Sequence, residues 1–328
     1  MASNEPMPIP PRTRKQKPKS SGAVWKWLLT ILALLLIGGA VYAGIIVKQA
    51  ADTVKEIGTD EKVAPGNSAA VKPLTFLLLG LDTRKETGSL NTDVIMVASV
   101  NPASKSATVV SIPRDTLLKT KNKTGKANSF YSSYMRSNGN DSAKTAASMK
   151  KAFGEYLEVP VDYVAVVNFT FFSGLVDSVG GITVNVDMDM KYRDKADGTN
   201  INLSKGVQKL NGEQALDFVR YRKSNDGTNE SSDFERNERQ QQVIAELLGK
   251  LKSVQGLANL DKVLSAAGKN INTDIPSQQI YELLRTYLGI SNDKINYIHL
   301  SGDWKSPYVY IDQAQLTEAR SRLKEQLK

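Results

Sequence analysis

The run Leu74-Thr75-Phe76-Leu77-Leu78-Leu79-Gly80-Leu81, followed directly by Asp82, sets the architecture that we predict for this chain. It is a short apolar stretch bounded by turn residues, which is typical of a buried strand. Two further runs of the same kind follow, at Val94 to Val100 and at Ala107 to Ile112. The region therefore predicts several neighbouring strands in one sheet.

Helical and strand patterns alternate after these runs. The sequence predicts, in order, a helix at Asp141 to Leu157, a strand at Val161 to Phe169, a helix at Phe171 to Ser178 that ends at Gly180-Gly181, and a strand at Ile182 to Val186. Beyond residue 233 the pattern is mainly helical and closes with a helix at Gln313 to Lys328. This order predicts an α/β domain over residues 73–328, with a central mixed or antiparallel sheet and helices on both of its faces.

The residues before this domain predict a membrane anchor. Residues 1–22 are rich in proline, serine and basic side chains, so we expect a disordered tail. No charged residue occurs from Trp27 to Val47, and about 20 helical residues span the roughly 30 Å apolar core of a bilayer. We therefore predict a transmembrane helix at residues 23–47 and a linker at 48–72 that carries the domain away from the bilayer.

The basic tail also predicts the orientation of the anchor. By the positive-inside rule the N-terminus lies in the cytoplasm and the domain lies outside the cell membrane. The apolar stretch is longer than the core of a cleaved signal peptide, which spans about 7 to 15 residues. The tail charges suit anionic lipid at the inner membrane surface.

Composition excludes several kinds of site. The chain has no cysteine and one histidine, His299, so disulfides and thiol chemistry are absent and zinc is not expected. His299 lies in an alternating apolar pattern, which favours a partly buried strand residue. The net charge of +9 suits an anionic ligand and does not require nucleic acid, which we do not expect as a partner.

The first chemical cluster is a pair of carboxylates at strand ends. Asp82 directly follows one predicted strand, and Asp93 directly precedes the next. If these strands pair antiparallel, both side chains lie at the same edge, where open α/β sheets bind their ligands. Two such carboxylates suit Mg²⁺, which also takes water and phosphate oxygens. The alternative is that both residues cap turns.

Arg114 follows the third strand in the motif Ser111-Ile112-Pro113-Arg114-Asp115-Thr116. A guanidinium at that edge can bind a phosphate through two parallel hydrogen bonds. It could equally be the ion-pair partner of Asp82 or Asp115. The motif by itself leaves both interpretations open.

A second cluster lies at Phe218-Val219-Arg220-Tyr221-Arg222, after a predicted helix at Gly212 to Asp217. In a helix, Arg220 and Arg222 would point in nearly opposite directions, whereas in a strand they would point the same way. A strand would therefore present two cations together. The alternative is that one or both are solvated.

The third cluster begins a helix at Asp233 to Gln242. Asp233, Arg236 and Gln240 share one face, which continues as the apolar Val243, Ile244 and Leu247. The apolar continuation indicates that this face points inward, and a buried charge needs a partner because leaving it unpaired costs several kcal/mol. An anionic ligand would be such a partner, and an internal salt-bridge network is the alternative.

In this order, the segments resemble the LytR-CpsA-Psr family of bacterial cell-envelope proteins. The resemblance covers most of residues 74–248 and rests on LLLGLDTR, TDVIMV, SIPRDT, VDYVAVVNFTFFSGLVDSVGGITVNV, LNGEQALDFVRYR and DFERNERQQQVI. It implies a Mg²⁺-dependent phosphotransferase at the outer membrane face of a Gram-positive-type envelope. Such an enzyme moves a glycopolymer, for example teichoic acid or capsular polysaccharide, from a polyprenyl pyrophosphate carrier to peptidoglycan, leaving a phosphodiester.

The resemblance also implies roles for individual residues. Asp82 and Asp93 would hold Mg²⁺, and either could take the proton of the attacking hydroxyl. The pyrophosphate would be bound by Arg114, Arg220, Arg222, Arg236 and Gln240, with Arg84 and Arg239 as further candidates. This chain has Asn91 where the family often has an arginine, two residues before the second aspartate.

Two other functions remain open from the sequence. A hydrolase could use the same residues with water as the acceptor. A non-catalytic binder of lipid pyrophosphate that regulates the envelope could use them for affinity alone.

Overall fold

The computed structural model describes residues 48, 51–81, 90–195, 198–253, 259, 262, 266, 270–287 and 289–328, with backbone alone at 233, 234 and 237. The chain divides into two compact units, Met1–Val47 and Lys48–Lys328. The first unit, with the predicted tail at 1–22 and the predicted span at 23–47, lies outside the described residues. Among the residues that are described, no helix combines the length and apolar character needed to cross a membrane.

The strands of the second unit are, in chain order, β1 (Leu74–Leu81), β2 (Thr92–Asn101), β3 (Ser106–Ser111), β4 (Leu117–Lys119), β5 (Thr124–Lys126), β6 (Tyr163–Asn168), β7 (Ile182–Val186), β8 (Met190–Arg193), β9 (Asn200–Leu203), β10 (Gly206–Leu210), β11 (Ile271–Thr273), β12 (Ile295–His299), β13 (Gly302–Lys305) and β14 (Tyr308–Ile311). The strands predicted at 74–81, 94–100, 107–112, 161–169 and 182–186 are all confirmed, with ends that differ by at most two residues.

The central sheet has the strand order β11-β6-β1-β2-β3-β12. Strand β1 pairs antiparallel with β2 and parallel with β6, while β3 pairs antiparallel with β2 and parallel with β12. The sheet is therefore mixed, as predicted. The parallel strands β1, β3, β6 and β12 end at the same edge, where β2 begins.

The helices are α1 (Phe130–Ser137), α2 (Ser142–Leu157), α3 (Phe169–Ser178), α4 (Gly212–Arg220), α5 (Asp233–Lys252), α6 (Ser277–Tyr287) and α7 (Gln313–Gln326). Side chains define their starts: Asp141 caps α2, and Asn168 caps α3. Capping boxes begin α4 at Asn211 and α5 at Ser232. The helix predicted at Gly212 to Asp217 continues to Arg220, which settles the conformation at the second arginine cluster.

One face of the sheet, the packed face, carries Leu77, Leu79 and Leu81 of β1. These side chains are buried in a core that includes Phe130 of α1, Phe153 of α2 and residues of α7 and β14. The core also contains the aromatic pair Phe130 and Phe153, whose rings meet edge to face. This face is sealed along its length.

The opposite side, the open face, carries Leu74, Phe76, Leu78 and Gly80 of β1. Helix α6 covers the end with Leu74 and Phe76, so helices flank both faces of the sheet. Leu78, however, is 37% exposed in the middle of a central strand. The open face is therefore incompletely covered toward the edge where the parallel strands end.

A second core lies beside the sheet and is built from α3, α4, α5, β7 and the neighbouring short strands. Its buried side chains include Val176, Ile182, Phe218, Tyr221 and Val243. Gly181 has a positive φ of 83° at the turn from α3 into β7, and a Cβ there would lie 2.7 Å from the Leu210 carbonyl oxygen. The predicted turn at Gly180-Gly181 thus requires glycine.

The segment predicted as a linker, residues 48–72, belongs to the second compact unit. Val54 and Ala69 are buried, and Gln279 of α6 accepts a hydrogen bond from the Ala69 amide. The segment packs against α6 over much of its length. Because the segment is mainly polar, its sequence did not predict these few apolar contacts.

Beyond residue 233 the described chain is less helical than predicted, because β11, β13 and β14 are strands of three or four residues. Strands this short carry too few alternations to give a period-two pattern. The closing helix at 313–326 and the strand position of His299 are confirmed.

Candidate active site

Asp93 lies on a β-bulge at the start of β2. Gly80 pairs with Val94, but Leu81 pairs with Thr92, so Asp93 has no opposite residue on β1. A bulge redirects the side chain of the extra residue and is common beside active sites. A Cβ on Gly80 would lie 3.0 Å from the Cβ of Val94, so glycine permits this close approach. The predicted antiparallel pairing therefore exists and brings Asp93 to the edge.

Arg114 is held in a turn directly after β3. The carbonyl oxygens of Pro113, Arg114 and Asp115 accept backbone hydrogen bonds from Thr116, Asn128 and Val309, respectively. All three carbonyls are paired, one within the turn and two with more distant residues. The backbone that carries the guanidinium is therefore fixed.

The Arg114 side chain reaches back to the bulge. Its Nη1 lies 2.6 Å from Oδ1 of Asp93, and its Nε lies 3.6 Å from Oδ2 of Asp115. Nε is buried and makes no hydrogen bond. The ion-pair interpretation of this motif is therefore met at Asp115, with Asp93 as a second partner, and phosphate binding by Arg114 stays a prediction.

Arg222 and Arg236 extend the cationic cluster. Burial lowers the pKa of Arg222, and the nearby Arg114 lowers it further. Burial likewise lowers the pKa of Arg236 to about 10, with further contributions from Arg222 and Arg114. The three guanidiniums are thus near enough to influence one another, and the same region holds Asp93 and Asp115, whose charges act in the opposite direction.

Arg220 and Arg222 do not act as a strand pair. Arg220 is the last residue of α4, and Tyr221 then takes an extended conformation. The Arg220 guanidinium lies 4.8 Å from the ring centroid of Phe169, which begins α3 directly after β6. Arg222 instead lies near Arg114. Both belong to the same edge of the sheet, but only Arg222 joins the convergent cluster.

Arg239 has a structural environment. It is 2% exposed, and its Nε and Nη2 bind both oxygens of Asp187 at 2.7 and 2.6 Å. Its Nη1 donates to Ser231 and to the Tyr221 carbonyl. With four of its five donor hydrogens satisfied inside the protein, we place Arg239 outside the set that could bind pyrophosphate.

Gln240 is partly buried on α5. The next residue, Gln241, contacts His299 through its side-chain amide. His299 pairs with Ser111 at the end of β12, so it lies at the same edge as Arg114. Burial lowers its pKa, and its Nδ1 is buried without a hydrogen bond. The sequence predicted the strand but not this location, because parallel pairing between distant strands leaves no local signal.

Lys126 is a further site residue that the sequence did not single out, and Asp115 has a larger role than the sequence indicated. Lys126 binds Oδ1 of Asp115 at 2.8 Å, so Asp115 links this lysine to Arg114. The motif did name Asp115, but as a partner alone. Lys126 stands in β5, whose three residues gave no pattern.

The predicted metal ligands are only partly described. Asp82 and Arg84 lie outside the described residues, so the structure locates neither. Within the described ranges, no group of three or more histidine, aspartate or glutamate side chains could hold a metal. Mg²⁺ requires fewer, since one or two carboxylates commonly suffice when phosphate oxygens and water complete its shell. Asp93, on the bulge beside the end of β1, can supply one such carboxylate.

Comparisons with known proteins show the family to which this chain is similar. The model of the LytR_cpsA_psr family matches residues 41–325. A protein of Bacillus anthracis (strain CDC 684 / NRRL 3495), named polyisoprenyl-teichoic acid–peptidoglycan teichoic acid transferase TagU, is 31% identical over 312 residues, which are 92% of this chain and 96% of the relative.

Solved structures show the same fold. The crystal structure of TagV from B. subtilis has a TM-score of 0.61 and 28% identity, covering 78% of this chain and 97% of that one. A structure described as TagT bound to LI-WTA has a TM-score of 0.58 and 25% identity, covering 82% of this chain and 94% of that one. By the extent of the family match and by the shared fold, this chain belongs to the LytR_cpsA_psr family.

Proposed function

We propose that this protein is a phosphotransferase that moves a teichoic acid or a similar anionic glycopolymer from a polyprenyl pyrophosphate carrier to peptidoglycan. The observation that carries the proposal is the convergence of Arg114, Arg222 and Arg236 at one edge of the sheet. A pyrophosphate carries the negative charge that three neighbouring guanidiniums can bind through parallel hydrogen bonds. The names of the relatives, which contain both teichoic acid and peptidoglycan, support the donor and the acceptor.

The open face supports a lipid-linked donor. Leu78 of β1 pairs with Met96 of β2 and with Ala165 of β6, and paired residues project to the same side. Apolar side chains on both neighbouring strands therefore flank the exposed Leu78. We place the polyprenyl chain against this face, where it would remove apolar surface from water.

The chemistry at the cluster is a displacement at phosphorus. The oxygen of an acceptor hydroxyl forms a bond to the phosphorus that carries the polymer. The bond from that phosphorus to the bridging oxygen breaks, and polyprenyl phosphate leaves with the electron pair. Arg114, Arg222 and Arg236 stabilise the negative charge on the phosphoryl oxygens. Asp93 or Asp82 takes the proton of the hydroxyl.

Mg²⁺ is part of the proposal. Asp93 and Asp82 would hold it, and it would neutralise negative charge on the pyrophosphate. Asp93 already binds Arg114, so the carboxylate would position the guanidinium and the metal together. No nucleophilic side chain is required, which agrees with the lack of cysteine.

We also propose that residues 23–47 anchor the enzyme in the cell membrane, with the N-terminus in the cytoplasm. The absence of charge from Trp27 to Val47 and the basic residues before it support this topology. A lipid-linked donor lies in the bilayer, so an anchored catalytic domain would meet it at the outer surface.

The test is an assay of the full chain in detergent with a polyprenyl-pyrophosphate-linked sugar and peptidoglycan oligomers, with and without Mg²⁺. Mass spectrometry should detect a glycan phosphodiester that depends on Mg²⁺ and is lost in Arg236→Ala. The matched control is Arg322→Ala, because that arginine is exposed on α7. Release of free sugar phosphate would instead identify a hydrolase, and bound but unchanged lipid would identify a binding protein.

A further inference from the structure

The hairpin of β13 and β14 presents an aromatic side chain to solvent. Trp304 is 58% exposed, although its opposite residue on β14, Val309, is buried in the core of the packed face. Among the described residues Trp304 is the most exposed of the large aromatic side chains, and the contacts of a single exposed indole decide whether it has a role.

This tryptophan is connected to the arginine cluster by short contacts. The Lys126 ammonium lies 5.5 Å from the centroid of the Trp304 ring and 2.8 Å from Oδ1 of Asp115. Asp115 in turn contacts Arg114. Trp304 therefore lies at the rim of the candidate active site. Lys126 lies between its indole and Asp115, and Asp115 contacts Arg114.

The backbone fixes this connection. The Val309 amide donates to the Asp115 carbonyl at 2.9 Å, and Val309 also forms an isolated bridge with Thr116. One residue of β14 thus joins both the loop that carries Arg114 and the strand that carries Trp304. The distance from the cluster to the indole is set by paired backbone, which is a rigid support for a binding site.

The side of the sheet on which Trp304 lies indicates the ligand. In a displacement at phosphorus, the attacking and leaving oxygens lie roughly in line. The leaving polyprenyl phosphate is placed on the open face, so the attacking hydroxyl arrives from the opposite side. The β13–β14 hairpin is on that side, because Val309 and Ile311 belong to the core of the packed face.

We propose that Trp304 is a binding residue for the acceptor, and that its indole stacks on a sugar ring of the peptidoglycan glycan strand while Lys126 donates a hydrogen bond to a sugar oxygen. The indole face is electron-rich and attracts the positively polarised C–H groups of a sugar ring. This inference rests on the proposed function, since it names the place of the acceptor in that reaction.

The hairpin supplies a matched control. Tyr310 is 42% exposed and is opposite Asp303, so by strand alternation it projects to the other side of the hairpin. Its truncation removes a comparable exposed aromatic side chain from the same hairpin without affecting the rim. Any effect of Trp304→Ala that Tyr310→Ala shares is due to the hairpin and not to stacking.

The binding test uses the full chain in detergent with Trp25→Phe and Trp27→Phe. Trp304 is then the only tryptophan, so its fluorescence reports on this position alone. Titration with peptidoglycan glycan oligomers, without any donor, should give a saturable change. No change with the oligomers, or a change caused only by a soluble pyrophosphate-linked sugar, would overturn the assignment to the acceptor.

The kinetic test compares Trp304→Ala, Trp304→Phe and Tyr310→Ala. Trp304→Ala should raise the acceptor KM about tenfold, because it removes one aromatic stacking contact, and should leave the donor KM and kcat unchanged. Trp304→Phe should retain most of the affinity, and Tyr310→Ala should match the parent. An equal loss in kcat for both alanine variants would contradict the proposal.

The fluorescence titration does not require turnover. An inactive protein whose Trp304 still responds to glycan would therefore refute the proposed function and leave the assignment of Trp304 standing.

Discussion

The packed and open faces of the central sheet are built from alternate residues of the same strands, yet their environments differ. Leu77 and Leu79 are 0% and 1% exposed, whereas Leu78 between them is 37% exposed. All three are leucines on one central strand, so neither composition nor strand propensity explains the difference. It arises because α1, α2 and α7 cover one side, whereas α6 covers only one end of the other.

The difference in exposure between the two faces separates the part of the fold that provides stability from the part that is available for function. The packed face ends in the hairpin and the loop that hold Arg114. The open face ends in a row of paired residues across β1, β2, β3 and β12, namely Leu78, Met96, Ser111 and His299. One side therefore supports the cluster of cations, and the other leaves apolar surface available beside it.

The first prediction compares the two faces directly. Leu79→Ala should lower the free energy of unfolding by about 2–5 kcal/mol, because it leaves a cavity in a sealed core. Leu78→Ala should lower it by less than about 1 kcal/mol, since the side chain is already partly in water. Denaturant unfolding of the full chain in detergent measures both. Similar losses for the two variants would show that the faces are equally packed.

The same pair of variants also separates function. Leu78→Ala should weaken binding of a long-chain donor more than binding of a short-chain analogue, because only the long chain reaches the open face. Leu79→Ala should affect both donors equally. A chain-length effect that is the same in both variants would place the lipid elsewhere.

The second prediction concerns the edge where the two faces meet. Arg114→Ala should reduce turnover by about 10²–10³-fold, the usual cost of losing one preorganised stabiliser of transition-state charge. Stability should change little, because the loop is held by backbone hydrogen bonds from Thr116, Asn128 and Val309. Steady-state kinetics and a melting curve on the same preparation distinguish the two effects. Unchanged turnover would remove Arg114 from the site.

Much of this edge could be predicted from the sequence, and the reasons are local. The apolar run at 74–81 and the two runs after it predicted the strands, and the antiparallel pairing that the sequence posed as a condition is present in the structure. The helical spacing from Asp233 predicted the start of α5. Each of these signals depends on residues only a few positions apart.

What could not be predicted depends on pairing over long distances. Parallel pairing of β12 with β3 brings His299 to the site, and the pairing of β14 with the Arg114 loop brings Trp304 to its rim. Arg239 was a candidate through the family resemblance alone, and its partner in the structure, Asp187, lies 52 residues away in the chain. The sequence could assign the side-chain chemistry but not which partner would satisfy it.

The third prediction tests that distinction between a structural and a ligand-binding arginine. Asp187→Ala leaves the Arg239 charge buried, and breaking a fully buried pair costs about 3–5 kcal/mol. Because the Asp187 side chain is 35% exposed, we expect a loss nearer about 2 kcal/mol in the free energy of unfolding. Thermal unfolding measures it. Donor affinity measured well below the melting temperature should be unchanged, and a selective loss of affinity would return Arg239 to the pyrophosphate site.

The smallest expected effect is on the pKa of His299, which reports directly on the open face. His299 is the only histidine, so its ring protons give one resolved NMR titration. Burial lowers its pKa, so below the ordinary value of about 6.5 the unfolded chain binds the proton more readily. Stability should therefore fall as pH decreases through that range. A polyprenyl-chain analogue that covers Leu78 in the same row would exclude more water from the ring and lower the pKa further. If the analogue leaves the pKa of His299 unchanged while Leu78→Ala still weakens donor binding, the polyprenyl chain lies on the β1 side of the open face and does not extend to His299.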